Sequence, residues 1–467
     1  MTEKVITLLR DKPSARWTAL ALVAFAMFCG YYFTDVMSPL KKMLETDLHW
    51  SSTEYGVFTS AYGWFNVFLL MLVFGGLILD KIGVRFTGVG AITVMIIGAF
   101  IKFYAVSHPA SFSGTVNIWV PFLGAAEIKT QTLMAALGFA IFGVGVEVAG
   151  ITVSKAIVRW FKGKEMALAM GLEMATARVG TGLAFLGAFP LASHFQKVSA
   201  PLLFGVLLLC IGLIGWFVFI TMDKKLDASA VGLEEEPEEP FRVKDIFSIV
   251  KSRGFWLVAL LCVLFYSAVF PFLKYAPDLM INKYHVSEKL AGMIPAILPF
   301  GTILLTPFFG NMYDRKGKGA TIMIIGAFML IGVHLLFTLP ILNVWWFATL
   351  LMVILGIAFS LVPSAMWPSV PKIIPENQLG TAYALIFWVQ NWGLMLVPLL
   401  IGVVLDKYCI TGQNLDGSKI YNYTLPMAIF SAFGILAIIV ALFLKAENKR
   451  KGYGLEMPNI KEKTHKD

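Results

Sequence analysis

Charge is scarce in this chain. Asp, Glu, Lys and Arg make up 14% of its 467 residues, and 58% are hydrophobic. A soluble domain carries roughly 25% charged residues, so this composition cannot cover a water-facing surface and excludes an ordinary soluble globular fold. Cysteine is scarcer still: Cys29, Cys210, Cys262 and Cys409 are all there is, three of them inside apolar runs, so no disulfide framework or metal cluster is expected. No phosphate-cradling loop, no His-Glu-x-x-His helix and no metal-spaced Cys/His set occurs. The expectation is therefore no catalytic residue, no metal, no cofactor and no enzyme. No cleavable leader is expected, because the first apolar run, from Trp17, is too long for one and lacks a small-residue cleavage site.

What the chain has instead is apolar runs, at about 17–37, 55–79, 86–106, 132–158, 166–190, 201–222, 255–279, 291–313, 320–340, 344–370, 380–404 and 424–445. A bilayer crossing takes about 20 such residues, and in lipid these must be helices, which satisfy their own backbone groups. The mean hydropathy of +0.76 agrees. The expected fold is an all-α membrane protein of twelve transmembrane helices in two six-helix bundles, 1–222 and 254–445. A polar linker, 223–253, and a tail, 446–467, complete the division. The acidic run Glu234–Glu239, interrupted by Pro237, reads as a solvated tether. The connector 107–131 is long enough to hold a surface helix.

The net charge of +9 sits in the connectors, which points to lipid and not to nucleic acid as the partner. Lys and Arg number 26 in the set holding both tails and the 2–3, 4–5, 6–7, 8–9 and 10–11 connectors, against 8 in the opposite set. That imbalance places both termini in the cytoplasm.

The two halves share a repeat. Gly76-Leu-Ile-Leu-Asp80-Lys81-Ile-Gly83-Val-Arg85 closes helix two, and Gly310-Asn-Met-Tyr-Asp314-Arg315-Lys-Gly317-Lys318 closes helix eight, 234 residues later. Secondary transporters are built from such repeats, with the solute site at the repeat interface. A tight turn needs no duplication. The pair resembles the signature of the major facilitator superfamily. That resemblance makes Asp80, Arg85, Asp314 and Arg315 gating residues and not solute ligands.

Charges inside the membrane are costly and mark function or structural pairing. Glu147 precedes Trp160 by 13 residues and Arg178 follows Glu165 by 13. Both therefore lie about 20 Å from the 4–5 turn, at one depth on adjacent helices. Two readings stand: a structural ion pair between helices four and five, or one anion and one cation offered to a zwitterionic solute. Lys155 can snorkel to the interface. Glu173, about 140° around helix five from Arg178, can meet Lys155 as an inner gate. Asp35, beside Tyr31 and Tyr32, either caps helix one or lines a cavity. Lys274 and Asp278 read as an i, i+4 pair, Lys102 as a snorkelling residue, and His334 as a packed one. Prolines 271 and 277 in helix seven, and 363 and 368 in helix ten, bend the helices a rocking cavity uses. Trp367 faces either cavity or lipid. Gln390 and Asn391 either join helices or touch solute.

Longer motifs narrow the family. Pro375-Glu-Asn-Gln-Leu-Gly-Thr-Ala-Tyr383 follows Ala365-Met-Trp-Pro368, with Gln390-Asn391 and Leu405-Asp406 downstream. Glu147 is followed by Trp160-Phe-Lys-Gly-Lys-Glu165 and Ala177-Arg178-Val-Gly180, and Ala268-Val-Phe-Pro271-Phe272 is a third match. Together they resemble the branch of the superfamily that contains a lysosomal dipeptide uniporter. The resemblance implies passage of dipeptides without a required proton, with the helix-four acid and the helix-five arginine gripping the peptide termini. Those roles fall on Glu147 and Arg178. Tyr31, Asp35, Trp367, Tyr383, Gln390 and Asn391 complete the expected solute site. Val153, Ser154 and Lys155 replace polar residues of that branch, and Glu173 stands where it has an amide; such charges alter the substrate or add proton coupling. The other expectations kept open are an organic-anion or sugar-phosphate carrier, for which helix one offers no interior arginine, and a non-transporting sensor. The partner is a small solute, and an accessory membrane protein is not specified. Glu3 is one position too far from Leu8-Leu9 for an acidic dileucine signal, so a plasma or bacterial cytoplasmic membrane is expected.

Overall fold

A computed structural model describes residues 8–229, 243–375 and 378–460. The acidic run Glu234–Glu239, Glu3, and Glu376 and Asn377 of the helix ten–eleven motif lie outside the described residues. Eleven helices among the described residues are long and apolar enough to cross a membrane. One of them, Met71–Ser107, is two helices joined at Gly83, where φ is +76° and ψ 172°. That glycine conformation ends helix two and starts helix three, giving twelve spans.

Helix one is Pro13–Asp35. Helix two begins at Ser52, where Ser51 and Glu54 form a reciprocal capping box. It is interrupted by a tight turn at Ala61–Gly63 and by Leu70 in the left-handed region, φ +53°. Helices four, five and six are Thr130–Phe161, Met166–Phe195 and Ala200–Ser229, so helix six runs seven residues past the apolar run at 201–222. Helices seven to twelve are Arg253–Tyr284, Met293–Lys316, Gly319–Thr338, Trp345–Ile373, Leu379–Tyr408 and Thr424–Lys451. The prolines of helices seven and ten sit inside continuous helices. Large apolar side chains such as Leu304 (78% exposed) and Phe86 (69%) point outward, as a lipid-facing surface requires.

The connector 107–131 does not hold the expected surface helix. It forms an antiparallel hairpin, Thr115–Val120 against Gly124–Lys129. The turn is made at Phe122 and Gly124, both at positive φ, and Lys129 is tied by its backbone N–H to Glu54 at 2.9 Å. A helix cannot absorb two left-handed residues in a row of three.

The face where helix one begins and helix twelve ends is called here the near face, and the opposite one the far face. At the far face the two halves grip. A Cβ on Gly402 would lie 2.3 Å from the Ser52 carbonyl and 2.9 Å from the Gly56 Cα, so helices two and eleven touch backbone to backbone. Helices five and eight meet at Gly182 against Phe300 and at Gly292 against Phe185. Toward the near face the same four helices part: Gly76, Gly380, Gly171 and Gly310 face open space. The fold therefore encloses an interior that is shut on the far side and open on the near side.

Candidate functional site

Glu147 turns into that interior. The Tyr62 hydroxyl donates to its Oε1 at 2.9 Å, and the Asn391 amide is its second polar neighbour. Tyr62 reaches it because helix two tightens at Ala61–Gly63. Gly143 also lets it in: a Cβ there would stand 2.4 Å from the Tyr62 carbonyl. Arg178 also turns inward. Its guanidinium sits 5.7 Å over Tyr31, 5.4 Å over Phe270 and 5.3 Å over Phe359, a cage of ring faces that favours a cation.

The two charges do not form an ion pair: Glu147 engages Tyr62, Arg178 engages rings, and no carboxylate makes a direct ion pair with Arg178 among the described residues. Direct neutralisation of one by the other is thus corrected. Tyr31 and Phe270 stand between them, lining the Glu147 cavity while facing Arg178.

That first cavity, about 110 Å³, is lined by Tyr31, Asp35, Glu147, Lys274 and Gln390 among others. Its far end is sealed by an ion pair across the halves. Lys274 Nζ lies 2.6 Å from Asp35 Oδ1 and donates to the Thr34 carbonyl at 2.8 Å, while Thr181 donates to Asp35 at 3.0 Å. Lys274 and Asp278 therefore do not form the expected i, i+4 pair. Asp278 is taken by Lys41 at 3.0 Å and by the Tyr423 hydroxyl. Each charge finds an opposite partner on a neighbouring element at its own depth. Lys102 does not snorkel either. Fully buried, it lies over Phe33, Phe58 and Phe139 at 4.5, 5.0 and 4.3 Å, because helices one, two and four cover the end of helix three. His334 is packed, with Nε2 2.9 Å from the Ala268 carbonyl and Phe272 and Phe430 against its ring.

A second cavity, about 290 Å³, opens on the other side of Arg178. Trp367 lines it, held by a bond from Nε1 to the Tyr266 hydroxyl at 3.1 Å and by the ring of Phe387. Tyr383 lines neither cavity and supports Trp367, its hydroxyl 3.4 Å from the Trp367 carbonyl. Gln390 accepts from Cys262 at 3.4 Å, and Asn391 donates to the Phe387 carbonyl at 2.9 Å.

The residues expected to gate lie toward the near face. Lys155 pairs with Asp80 at 2.9 Å and not with Glu173, because Glu173 is buried and its charged neighbour is Arg178 on its own helix. Arg85 and Arg159 both clasp the buried Asp223, at 2.6 and 3.2 Å, and also reach Asp227. Asp314 accepts from Asn459 at 2.7 Å, and Arg315 is exposed.

Sequence reasoning misses Tyr62, Phe270 and Phe359 as site residues and gives Lys274 the wrong partner. The Phe270-Pro271-Phe272 motif is visible in the sequence, where it reads only as a bend. Nothing in the local sequence of Tyr62 distinguishes it from the other aromatic residues of helix two.

The comparisons with known proteins agree with this architecture. Two halves of six helices around an interior are shared with a point mutant of the nucleoside transporter NupG, at a TM-score of 0.66 and 15% identity over 92% of this chain and 99% of that one. A bacterial homologue of the human lysosomal transporter Spinster, in an inward-facing and occupied conformation, gives 0.64 and 12% over 94% and 98%. In sequence, the lysosomal dipeptide transporter MFSD1 of Mus musculus is 27% identical over 454 residues, 94% of this chain and 88% of the mouse protein. Residues 20–398 match the profile of the Major Facilitator Superfamily. With the profile running from helix one into helix eleven and the duplicated Asp80 and Asp314 turns closing the second helix of each half, this chain is a multi-pass membrane transporter that belongs to the Major Facilitator Superfamily.

Proposed function

We propose that the protein carries dipeptides or related amino-acid-derived zwitterions across its membrane by alternating access, with Glu147 meeting the ammonium end and Arg178 the carboxylate. One observation carries this reading: an acid and a base face one interior, they do not pair with each other, and neither makes a direct ion pair among the described residues, Glu173 being only a charged neighbour of Arg178. An unpaired charge in low dielectric is costly. A zwitterion supplies both missing partners at once, and a simple anion or cation supplies only one. The similarity to a transporter named for dipeptides supports the same class. The aromatic cage holds Arg178 ready while the site is empty, and Tyr62 holds Glu147.

In this reading the near face is cytoplasmic, as the Lys and Arg imbalance favours, and the described state is open to the cytoplasm. The membrane is the plasma or cytoplasmic membrane, although MFSD1 is named as lysosomal. The mode is uniport. Proton coupling is a second reading, favoured by Glu173, buried beside Arg178 where a proton could stand in for a cation. A sugar phosphate would need a cluster of free cations, and Lys274 is already paired.

The test is uptake by purified protein in proteoliposomes, alongside thermal stabilisation by ligand. Free dipeptides should be taken up and should stabilise the protein; N-acetylated or amidated ones and phosphate esters should not. Arg178→Ala should abolish uptake while the protein still folds. Uptake at the wild-type level by that variant would remove Arg178 from the site. An imposed pH gradient that drives accumulation would replace uniport by symport.

A further inference from the structure

The two cavities on either side of the Tyr31 and Phe270 rings differ in chemistry, and Arg178, which both rings face, lines the second. The first, about 110 Å³, holds Glu147 and the Asp35–Lys274 pair. The second, about 290 Å³, has Arg178 as its one charged group among the described residues. Its walls include Met170 and Met174 from helix five, Thr302 from helix eight, and Phe359 and Trp367 from helix ten. Most of its polar atoms are already used, the Thr306 hydroxyl and the Tyr266 O–H being the exceptions. The Thr302 hydroxyl donates to the Pro299 carbonyl at 2.7 Å, Ser364 to the Ser360 carbonyl at 2.6 Å, and Trp367 Nε1 to the Tyr266 hydroxyl at 3.1 Å. A polar side chain entering here finds no free donor from these groups. Two flexible thioethers let the walls fit apolar shapes of different outline.

We propose that this second cavity is the pocket for the side chain that shares its Cα with the solute carboxylate, and that it selects dipeptides with a large apolar or aromatic residue at the C-terminal position. The inference rests on the zwitterion reading above. With the carboxylate on Arg178 and the ammonium on Glu147, the peptide backbone occupies the first cavity. That space is the smaller of the two and is bounded by the Asp35–Lys274 pair and the rings of Tyr31, Phe139 and Phe270. The C-terminal side chain then enters the second cavity, which Arg178 itself lines and which is the larger of the two. Phe359 faces Arg178 and lines this pocket, so one ring orients the cation and contacts the side chain. Selection follows from burial: apolar area is favoured there, and a carboxylate side chain loses its water for no more than the Thr306 and Tyr266 hydroxyls.

The experiment compares Ala-Ala, Ala-Phe, Phe-Ala and Ala-Glu by thermal stabilisation and by competition for uptake, using the full chain in detergent and in proteoliposomes. Ala-Phe should bind at least about tenfold tighter than Ala-Ala and clearly tighter than Phe-Ala, and Ala-Glu should be the weakest. Ala175→Leu, which puts volume into the pocket, should shrink the Ala-Phe to Ala-Ala ratio toward one. Equal binding of Ala-Phe and Phe-Ala, or a preference for Phe-Ala, would overturn this pocket assignment and leave the zwitterion reading standing. If none of the four peptides binds, the zwitterion reading falls and this inference falls with it.

Discussion

Gly56 and Gly402 stand where helices two and eleven touch; Gly76 and Gly380, on the same two helices, face open space. The contrast extends to charge. At the far face Lys41 pairs with Asp278, Lys42 with Glu288, Lys274 with Asp35, and Tyr421 bonds Glu45 at 2.7 Å, each across the two halves. At the near face the ion pairs Lys155–Asp80, Arg85–Asp223 and Arg16–Glu165 lie inside the first half, and Asp314 is held by Asn459 of its own half. The lesson is that this state is held shut on one side by bonds between bundles, while the open side is kept in order by bonds within each bundle. Alternating access then means breaking the first set, and the second set can survive the change.

The largest effect should come from the backbone contact. In Gly402→Val the new Cβ would meet the Ser52 carbonyl and the Gly56 Cα, neither of which is a flexible side-chain end. Closure of the far face should fail, uptake should be nearly lost, and a cysteine placed at Thr59 should become open to an impermeant thiol reagent from the far side. Uptake near the wild-type level would show that helices two and eleven need not close this tightly. Next in size is Lys274→Met, which leaves Asp35 buried with no cation. Removing one partner of a buried pair costs about 3–5 kcal/mol, and here the cost falls on the far-closed state. Labelling at Thr59→Cys should rise strongly, and adding Asp35→Asn should reverse part of the rise. No rise in labelling would mean that the pair does not help hold the far face.

The same comparison shows what the sequence could and could not reveal. Twelve spans and two halves were legible because hydropathy and a repeated turn are local properties. The equal depth of Glu147 and Arg178 was legible because helical rise is constant. Which neighbour each charge would choose was not. Lys274 and Asp278 lie one turn apart, yet each pairs across an interface that only the packed bundle creates. Lys102 reads as interfacial by its depth, but the helices covering it are distant in sequence. The 115–129 hairpin escaped notice because its two positive-φ positions, Phe122 and Gly124, include a residue type that does not advertise a turn.

A smaller effect should come from the second half's own bracing. Gly317, at φ +66°, is sealed by Glu456–Pro458, whereas its repeat partner Gly83 meets nothing. Glu456 accepts from the Thr321 N–H at 3.1 Å and hydroxyl at 3.0 Å, capping helix nine. Glu456→Ala should lower stability by about 0.5–2 kcal/mol, the range for a lost helix cap. Because the cap lies inside one half, the variant should leave far-side labelling at Thr59→Cys unchanged. A large change in labelling would show that the tail acts on the balance between states and not only on its own bundle.

The smallest effect sharpens the comparison by acting as its control. Asp11 is hydrogen-bonded to Lys164 at 2.9 Å at the near face, which holds its carboxyl below the usual carboxylate range. A carboxyl with a lowered native pKa adds its stability above the unfolded value and loses it only as pH falls through the native one. Between pH 7 and pH 5 Asp11 stays ionised, so this bridge cannot contribute to any change of state in that window. Asp11→Asn should therefore show the same pH response of uptake and of far-side labelling as the wild type, with only a slight loss of thermal stability, since exposed pairs contribute little. If the pH response instead disappeared in Asp11→Asn, a bond inside the first half would be setting the balance between the faces, and the division between bonds that gate and bonds that brace would not hold.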